Sequence, residues 1–176
     1  MAARLAAVDV DYRADGAVAG CVLFDAWDAA APARELVATA AAGEVAPYVP
    51  GALYRRELPL LERVLALVGH PLHVVVVDGN VWLDAAGAPG LGAHLWRALG
   101  EQAAVIGVAK TSYAGAPAIE VLRGGSASPL YVTAAGMDPA TAAAHVRAMH
   151  GEFRLPTLLK RVDRLCRDAP LPPAPT

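Results

Sequence analysis

The run His73-Val74-Val75-Val76-Val77 limits the fold more than any other stretch of the chain. It has strand length, and it is too short for a buried helix. It shows no polar alternation, so a strand made of it must be covered on both faces. Asp78-Gly79 ends the run. The chain must therefore lay helices on both sides of a sheet. Residues 104–109 (AVIGVA) read as another buried strand of the same kind. Helical spacing supplies the cover. Leu60, Leu61, Val64, Leu65 and Val68 predict a helix over 54–68, with Pro59 near its first turn and Gly69 as its stop. A second helix is expected over 92–100. Asp138-Pro139 is a cap followed by a proline at the first helical position, and that helix runs to about His150. Pro156 opens a last helix to about Asp168.

The N-terminal part is antiparallel. Residues 4–12 (RLAAVDVDY) alternate, with Ala6, Val8, Val10 and Tyr12 on one face and Leu5, Ala7, Asp9 and Asp11 on the other. Asp15-Gly16 is a hairpin signal leading into a second strand at 17–25, and 34–41 is a third. Residues 117–122 and 129–133 pair across Gly124-Gly125. The expected order is βββ-α-β-α-β-β-β-α-α, a mixed α/β sheet flanked by helices. That order suits a ribonuclease H-like domain over residues 1–169, followed by a flexible tail at 170–176 with four prolines.

Composition removes several classes. With 176 residues the chain makes one domain with a real core. Hydrophobic residues are 56% and charged ones 18%, which excludes a disordered chain. Net charge is −2, which excludes a wholly basic nucleic-acid coat but not a local basic patch. Arg55, Arg56, Arg154, Lys160, Arg161, Arg164 and Arg167 are the residues expected to form such a rim. No apolar run reaches the ~18 residues of a membrane span. Residues 1–7 lead straight into a strand pattern, so no secretory leader is expected. Cys21 and Cys166 are far apart, which points to a reducing cytoplasm rather than a disulfide framework. The expected state is a soluble monomer. His70, His73, His145 and His150 form no metal constellation.

Four carboxylates occupy places where carboxylates are unusual. Asp78 follows the valine run at the carboxyl end of a central strand, where ligand sites form in open α/β sheets, although an Asx turn would also place an Asp there. Glu57 heads the apolar stripe of its helix at i, i+4, i+7 and i+11 with Leu61, Val64 and Val68. The helix dipole explains an acid at that end but not on that face. Asp9 lies mid-strand, where a carboxylate is costly unless the face is wet or a charge meets it. Asp163 sits at the edge of the last helix's apolar stripe among Arg161, Arg164 and Arg167, which is also how a surface ion pair looks. If the four converge, their oxygen donors suit Mg²⁺, with Mn²⁺ able to substitute.

Ordered motifs along almost the whole chain resemble the endonuclease V family, whose fold is ribonuclease H-like. They are VDVDY at 8–12, PYVPG at 47–51 followed by RRE at 55–57, VVVVDG at 74–79, IGVAK at 106–110, PLYVTAAG at 129–136 and RLPTLLKRVD at 154–163. PYVPG with the following RE is the specific signature; DG or GVAK alone would be weak. The resemblance implies a metal-dependent endonuclease acting in DNA repair. It implies cleavage of the second phosphodiester 3′ to deoxyinosine, leaving a 3′-hydroxyl and a 5′-phosphate. By the same resemblance Asp9, Glu57, Asp78 and Asp163 hold the ion, and Lys110 holds a phosphate near it. Tyr48 belongs to a wedge built with Pro47, Val49, Pro50 and Gly51, which enters the duplex as the damaged base flips out, and Gly79 lies along the DNA. Asn80-Val81-Trp82-Leu83-Asp84 stands where the family carries a His-Pro-Arg stretch, and Asp163 stands where it offers a histidine. Alternative substrates are inosine-containing RNA and single-stranded or branched DNA. A non-catalytic nucleic-acid-binding module is a further alternative, against which the four retained acids speak. A small-molecule enzyme would need a phosphate-cradling glycine loop, and Gly124-Gly125 is not one.

Overall fold

The computed structural model describes residues 2–173. Three antiparallel strands come first: β1 (Leu5–Arg13), β2 (Gly16–Phe24) and β3 (Arg34–Ala41). A short 3₁₀ turn (Ala42–Glu44) and an irregular segment lead to α1 (Tyr54–Ala66). Then follow β4 (Val74–Asp78), α2 (Leu91–Ala98), β5 (Ala104–Ala109), β6 (Ile119–Val121), β7 (Leu130–Ala135), α3 (Pro139–Ala148) and α4 (Thr157–Asp168). The element order is the one the sequence predicts. Of the proline-rich stretch expected to be flexible, residues 170–173 carry no helix or strand and 174–176 lie outside the described residues.

The seven strands run in the order β3-β2-β1-β4-β5-β7-β6. β4 pairs in parallel with both β1 and β5, and the remaining neighbours are antiparallel. The valine run thus forms the middle of the sheet. Val75 and Val77 face a core shared with Leu60, Leu61 and Val64 of α1 and Leu95 of α2. Val74 and Val76 face a second core shared with Val146 of α3 and Leu158 and Val162 of α4. Alternation of β1 splits in the same way, with Ala6 and Val8 toward α1 and Ala7 toward α4. Asp9 therefore belongs to the α4 face. Among the described residues no helix is long and apolar enough to cross a membrane.

β2 is buried along its whole length, between β1 and β3 and under both helix layers. Its small residues let the layers close. A methyl group added at Gly20 would lie 2.8 Å from the Cys166 sulfur of α4. That thiol donates to the Asp9 carbonyl at 3.2 Å, and Gly20 is the register partner of Asp9. The close approach of α4 thus pins the backbone that carries Asp9. Gly20→Ala is expected to lower stability by about 1 kcal/mol through overpacking, read as a lower urea midpoint with unchanged slope. Both cysteines are free and buried, and burial pushes each thiol up to about 12.

Pro59 sits inside α1, at the place the predicted helix gives it. The helix begins at Tyr54, so Pro59 is its sixth residue and lies past the first turn. Its missing N–H leaves the Arg55 carbonyl without a helical partner. Both residues lie on the exposed side, where that carbonyl is open to solvent.

Candidate active site

The site forms where β1 and β4 part. Their last paired residues are Val8 and Val77. Asp9 and Asp78 are each one residue further along, on neighbouring strands that lie roughly 4.8 Å apart while paired. Asp78 remains paired with Val108 of β5, and the Gly79 N–H donates to the Val108 carbonyl at 3.0 Å. The two carboxylates thus sit side by side at the C-terminal edge of the parallel strands, the crevice where ligands bind in open α/β sheets.

They form a wall between two recesses. On the α4 side is a small recess of about 30 Å³, lined by Asp9, Asp78, Lys110, Leu159 and Asp163. On the α1 side is a cleft of about 480 Å³, lined by Asp9, Tyr12, Tyr54, Glu57, Asp78 and Asn80 among others. The four sequence-predicted acids are therefore shared out. Asp163 reaches the small recess, Glu57 reaches the cleft, and Asp9 and Asp78 serve both.

The acids feel one another. Burial raises Glu57 to about 7, with the charges of Asp9 and Asp78 adding to the shift and Arg56 opposing it. Burial raises Asp9 to about 6, reinforced by Asp78 and Asp163 and opposed by Lys110 and by a hydrogen bond from the Val10 N–H. Among the described residues, no group of three or more His, Cys, Asp or Glu side chains already closes on one point in ion-ligand geometry. Two of the acids are occupied otherwise. Lys110 Nζ lies 3.4 Å from Asp78, both about half exposed. Arg167 Nε lies 3.1 Å from Asp163 one turn away, the surface pair that the arginine-rich helix suggested.

A rigid turn borders the cleft. The Ala52 N–H donates to the Val49 carbonyl at 3.0 Å, with Pro50 second and Gly51 third at φ 77°. Proline and a positive-φ glycine at those places make a type II turn. Immediately before it, Tyr48 is 63% exposed, and Pro47 precedes Tyr48. Gly51 and Gly79 both line the cleft.

Several cleft residues escaped the reading of motifs. The Arg56 guanidinium lies 3.9 Å from the centre of the Tyr12 ring, a cation–π contact beside Glu57. The Tyr12 hydroxyl and Asn80 Oδ1 are buried without a hydrogen-bond partner among the described residues. Tyr54 stacks on His94 with centroids 3.6 Å apart. Tyr12 and Arg56 lie inside the VDVDY and RRE motifs and Tyr54 directly precedes RRE, so their proximity to the acids was a readable signal. Tyr113, 53% exposed at the cleft mouth, carries no such signal. After Asn80-Val81-Trp82-Leu83 the chain makes a tight turn closed by Asp84, which accepts from the Ala88 N–H at 2.9 Å.

The expected basic rim is smaller than its count of arginines. Arg161 is bound in a two-point pair to Glu35 of β3 at 2.6 and 2.7 Å. Arg167 holds Asp163, and Arg154 donates to the carbonyls of Lys110 and Pro129. Arg55, Lys160 and Arg164 remain exposed.

Comparison with known proteins gives a consistent result. A sequence model described as endonuclease V matches residues 2–137, a span that ends before α4 and Asp163. A curated endonuclease V of Streptomyces avermitilis is 33% identical over 200 aligned positions, covering 94% of this chain and 80% of that protein. A crystal structure of endonuclease V from Streptomyces avermitilis superposes with a TM-score of 0.74 at 30% identity, covering 94% of this chain and 80% of that one. The fold is shared as well by Ciona intestinalis endonuclease V, solved in complex with a 24mer DNA containing an inosine followed by a ribo-adenosine. It has a TM-score of 0.79 at 19% identity, covering 93% of this chain and 83% of that one.

Proposed function

The chain belongs to the endonuclease V family, and from that premise we propose that it is a divalent-metal-dependent endonuclease acting on deoxyinosine in DNA. The observation that carries this reading is the register of Asp9 and Asp78, with Glu57 close enough to feel the charge of both. Three buried or half-buried carboxylates at one sheet edge, with Asp9 and Glu57 both pushed upward, are an anionic cage in need of a cation. Their donors are oxygen only, which fits Mg²⁺, or Mn²⁺ in its place. Asp9, Glu57 and Asp78 would hold the ion, with Asp163 approaching from α4. When bound, the ion supplies activation of water and neutralises charge building on the phosphate.

The chain's own residues do the rest. Lys110, already 3.4 Å from Asp78, offers its ammonium to a phosphate oxygen at the same edge. Tyr48, held by the Pro50-Gly51 turn, presents a rigid aromatic to the base stack. Pro47, Val49, Pro50 and Gly51 form the frame of that wedge, and Gly79 lines the wall beside Asp78. Extruding a base costs a few kcal/mol, least for a weakened pair, which is one source of preference for a lesion. The cleft on the α1 side has the size of ordinary small-ligand pockets and lies directly behind the turn. Cleavage at the second phosphodiester 3′ to the deaminated adenine would give a 3′-hydroxyl and a 5′-phosphate, a nick that opens repair.

The test is a panel of end-labelled oligonucleotides, single-stranded and duplex, carrying deoxyinosine, ribo-inosine or no lesion, with Mg²⁺, Mn²⁺ or EDTA. The expected result is a single product from deoxyinosine DNA with either ion and none in EDTA. Equal cutting of lesion-free DNA would sink the specificity, and cutting in EDTA would sink the metal.

A further inference from the structure

On the α4 side of the sheet edge, a large aromatic ring is held out in solvent on a backbone that is firmly tied down. Phe153 is 59% exposed and lies in the loop joining α3 to α4. Arg123 is only 7% exposed, and its guanidinium donates to the carbonyls of Phe153, Arg154 and Gly151 at 2.9, 3.3 and 3.2 Å, and to that of Met149. The Thr157 N–H donates to the His150 carbonyl at 2.8 Å, and the Thr157 hydroxyl lies 2.9 Å from His150 Nδ1. Arg154 ties the same loop to the carbonyl of Lys110.

A lone exposed phenylalanine would need no explanation. A buried guanidinium does, because desolvating it is costly unless hydrogen bonds offset the loss. Every hydrogen bond of the Arg123 side chain among the described residues goes to this loop. The result is a preorganised ring linked through Arg154 to the strand end that bears Lys110. Lys160 Nζ lies 5.0 Å from the ring centre. Lys160 and Arg164 are exposed one turn apart on α4, and neither makes an ion pair among the described residues.

We infer that Phe153, with Lys160 and Arg164, is a stacking platform for the nucleic-acid strand that leaves the acid site on the α4 side. The inference rests on the nuclease reading above. An aromatic face beside cations that meet phosphates is how proteins hold single strands without reading sequence. Tyr48 precedes α1 and Phe153 precedes α4, and those helices cover opposite faces of the sheet. The acids lie at the sheet edge between them. A strand crossing that edge meets one aromatic on each side.

The experiment measures fluorescence anisotropy of a labelled single-stranded deoxyinosine oligonucleotide in EDTA, with wild type, Phe153→Ala and Phe153→Trp. Phe153→Ala is expected to weaken binding roughly tenfold, as loss of one stacked base does, and Phe153→Trp to keep it. Shortening one flank of the oligonucleotide should abolish the difference, while shortening the other leaves it. Unchanged affinity in Phe153→Ala, or a loss that survives removal of either flank, overturns the platform. Cleavage by wild type with Mg²⁺ is followed in parallel. Cleavage with no Phe153 effect removes the platform alone. A Phe153 effect without cleavage keeps the platform and removes the nuclease reading.

Discussion

Asp78→Asn is expected to lower cleavage of a deoxyinosine oligonucleotide by about a thousandfold or more while leaving the thermal midpoint almost unchanged. The two halves of that result have separate causes. Asp78 stands at the end of β4, and its carboxylate lines both recesses. Among the described residues, Asp9 is the one other acid that does so. Asparagine keeps the shape and one oxygen but removes the charge that would hold a divalent cation and orient Lys110. The fold depends on Asp78 very little. Its side chain is 48% exposed and its pair with Lys110 is 50% exposed on the lysine side, so the pair contributes about 0–1 kcal/mol. The strand pairing through Val108 is made by backbone. Asp163→Asn should cost less activity, because Asp163 touches only the small recess and already faces Arg167. The check is a set of single-turnover time courses with Mg²⁺ and Mn²⁺ alongside circular dichroism melts. Wild-type rates in the Asp78 variant would take this carboxylate out of the chemistry.

What the sequence carried well was everything local or periodic. The unbroken valines demanded cover on both faces, and they lie in the middle of the sheet with helices on each side. The Asp138 cap is where the pattern put it, accepting from the Thr141 N–H at 2.9 Å. Alternation also placed Asp9 on the correct side of β1. Contacts between distant segments were not legible. Asp9 lies toward α4 and Glu57 belongs to α1 on the other face, so alternation alone sets them apart. They line one cleft where β1 and β4 separate after Val8 and Val77, a fact of register that no residue type announces. The same limit applies to charges. Arg161 read as part of a basic rim, but Glu35, 126 positions away, holds it. Arg123 read as nothing, because a buried arginine bound to four carbonyls has no sequence signature.

The carboxylates also set a direction for stability against pH in the metal-free protein. Glu57 rises from 4.5 to about 7 and Asp9 from 3.8 to about 6. Both shifts are upward for acids, so between about pH 4 and 7 the folded state holds protons that the unfolded chain has released. Stability is then full below pH 4, falls through that window, and levels off above the folded values. Glu57→Gln removes the larger shift. In EDTA at pH 8 it is expected to raise stability by roughly 2–3 kcal/mol, or about 5–10 °C, and at pH 4 to change it little. The gain is not additive with Asp9→Asn, because the Asp9 charge adds to the Glu57 shift and Asp78 acts on both acids. A divalent cation should act as the substitution does, stabilising wild type more at pH 8 than at pH 5, where it competes with protons for the same oxygens. Urea melts across pH 4–8, with and without EDTA, separate the two effects. Metal-free wild type that gains stability from pH 5 to pH 8, or a Glu57→Gln variant no more stable at pH 8, would mean that neither burial nor neighbouring charge raises these carboxylates. The case for a shared cation would go with them.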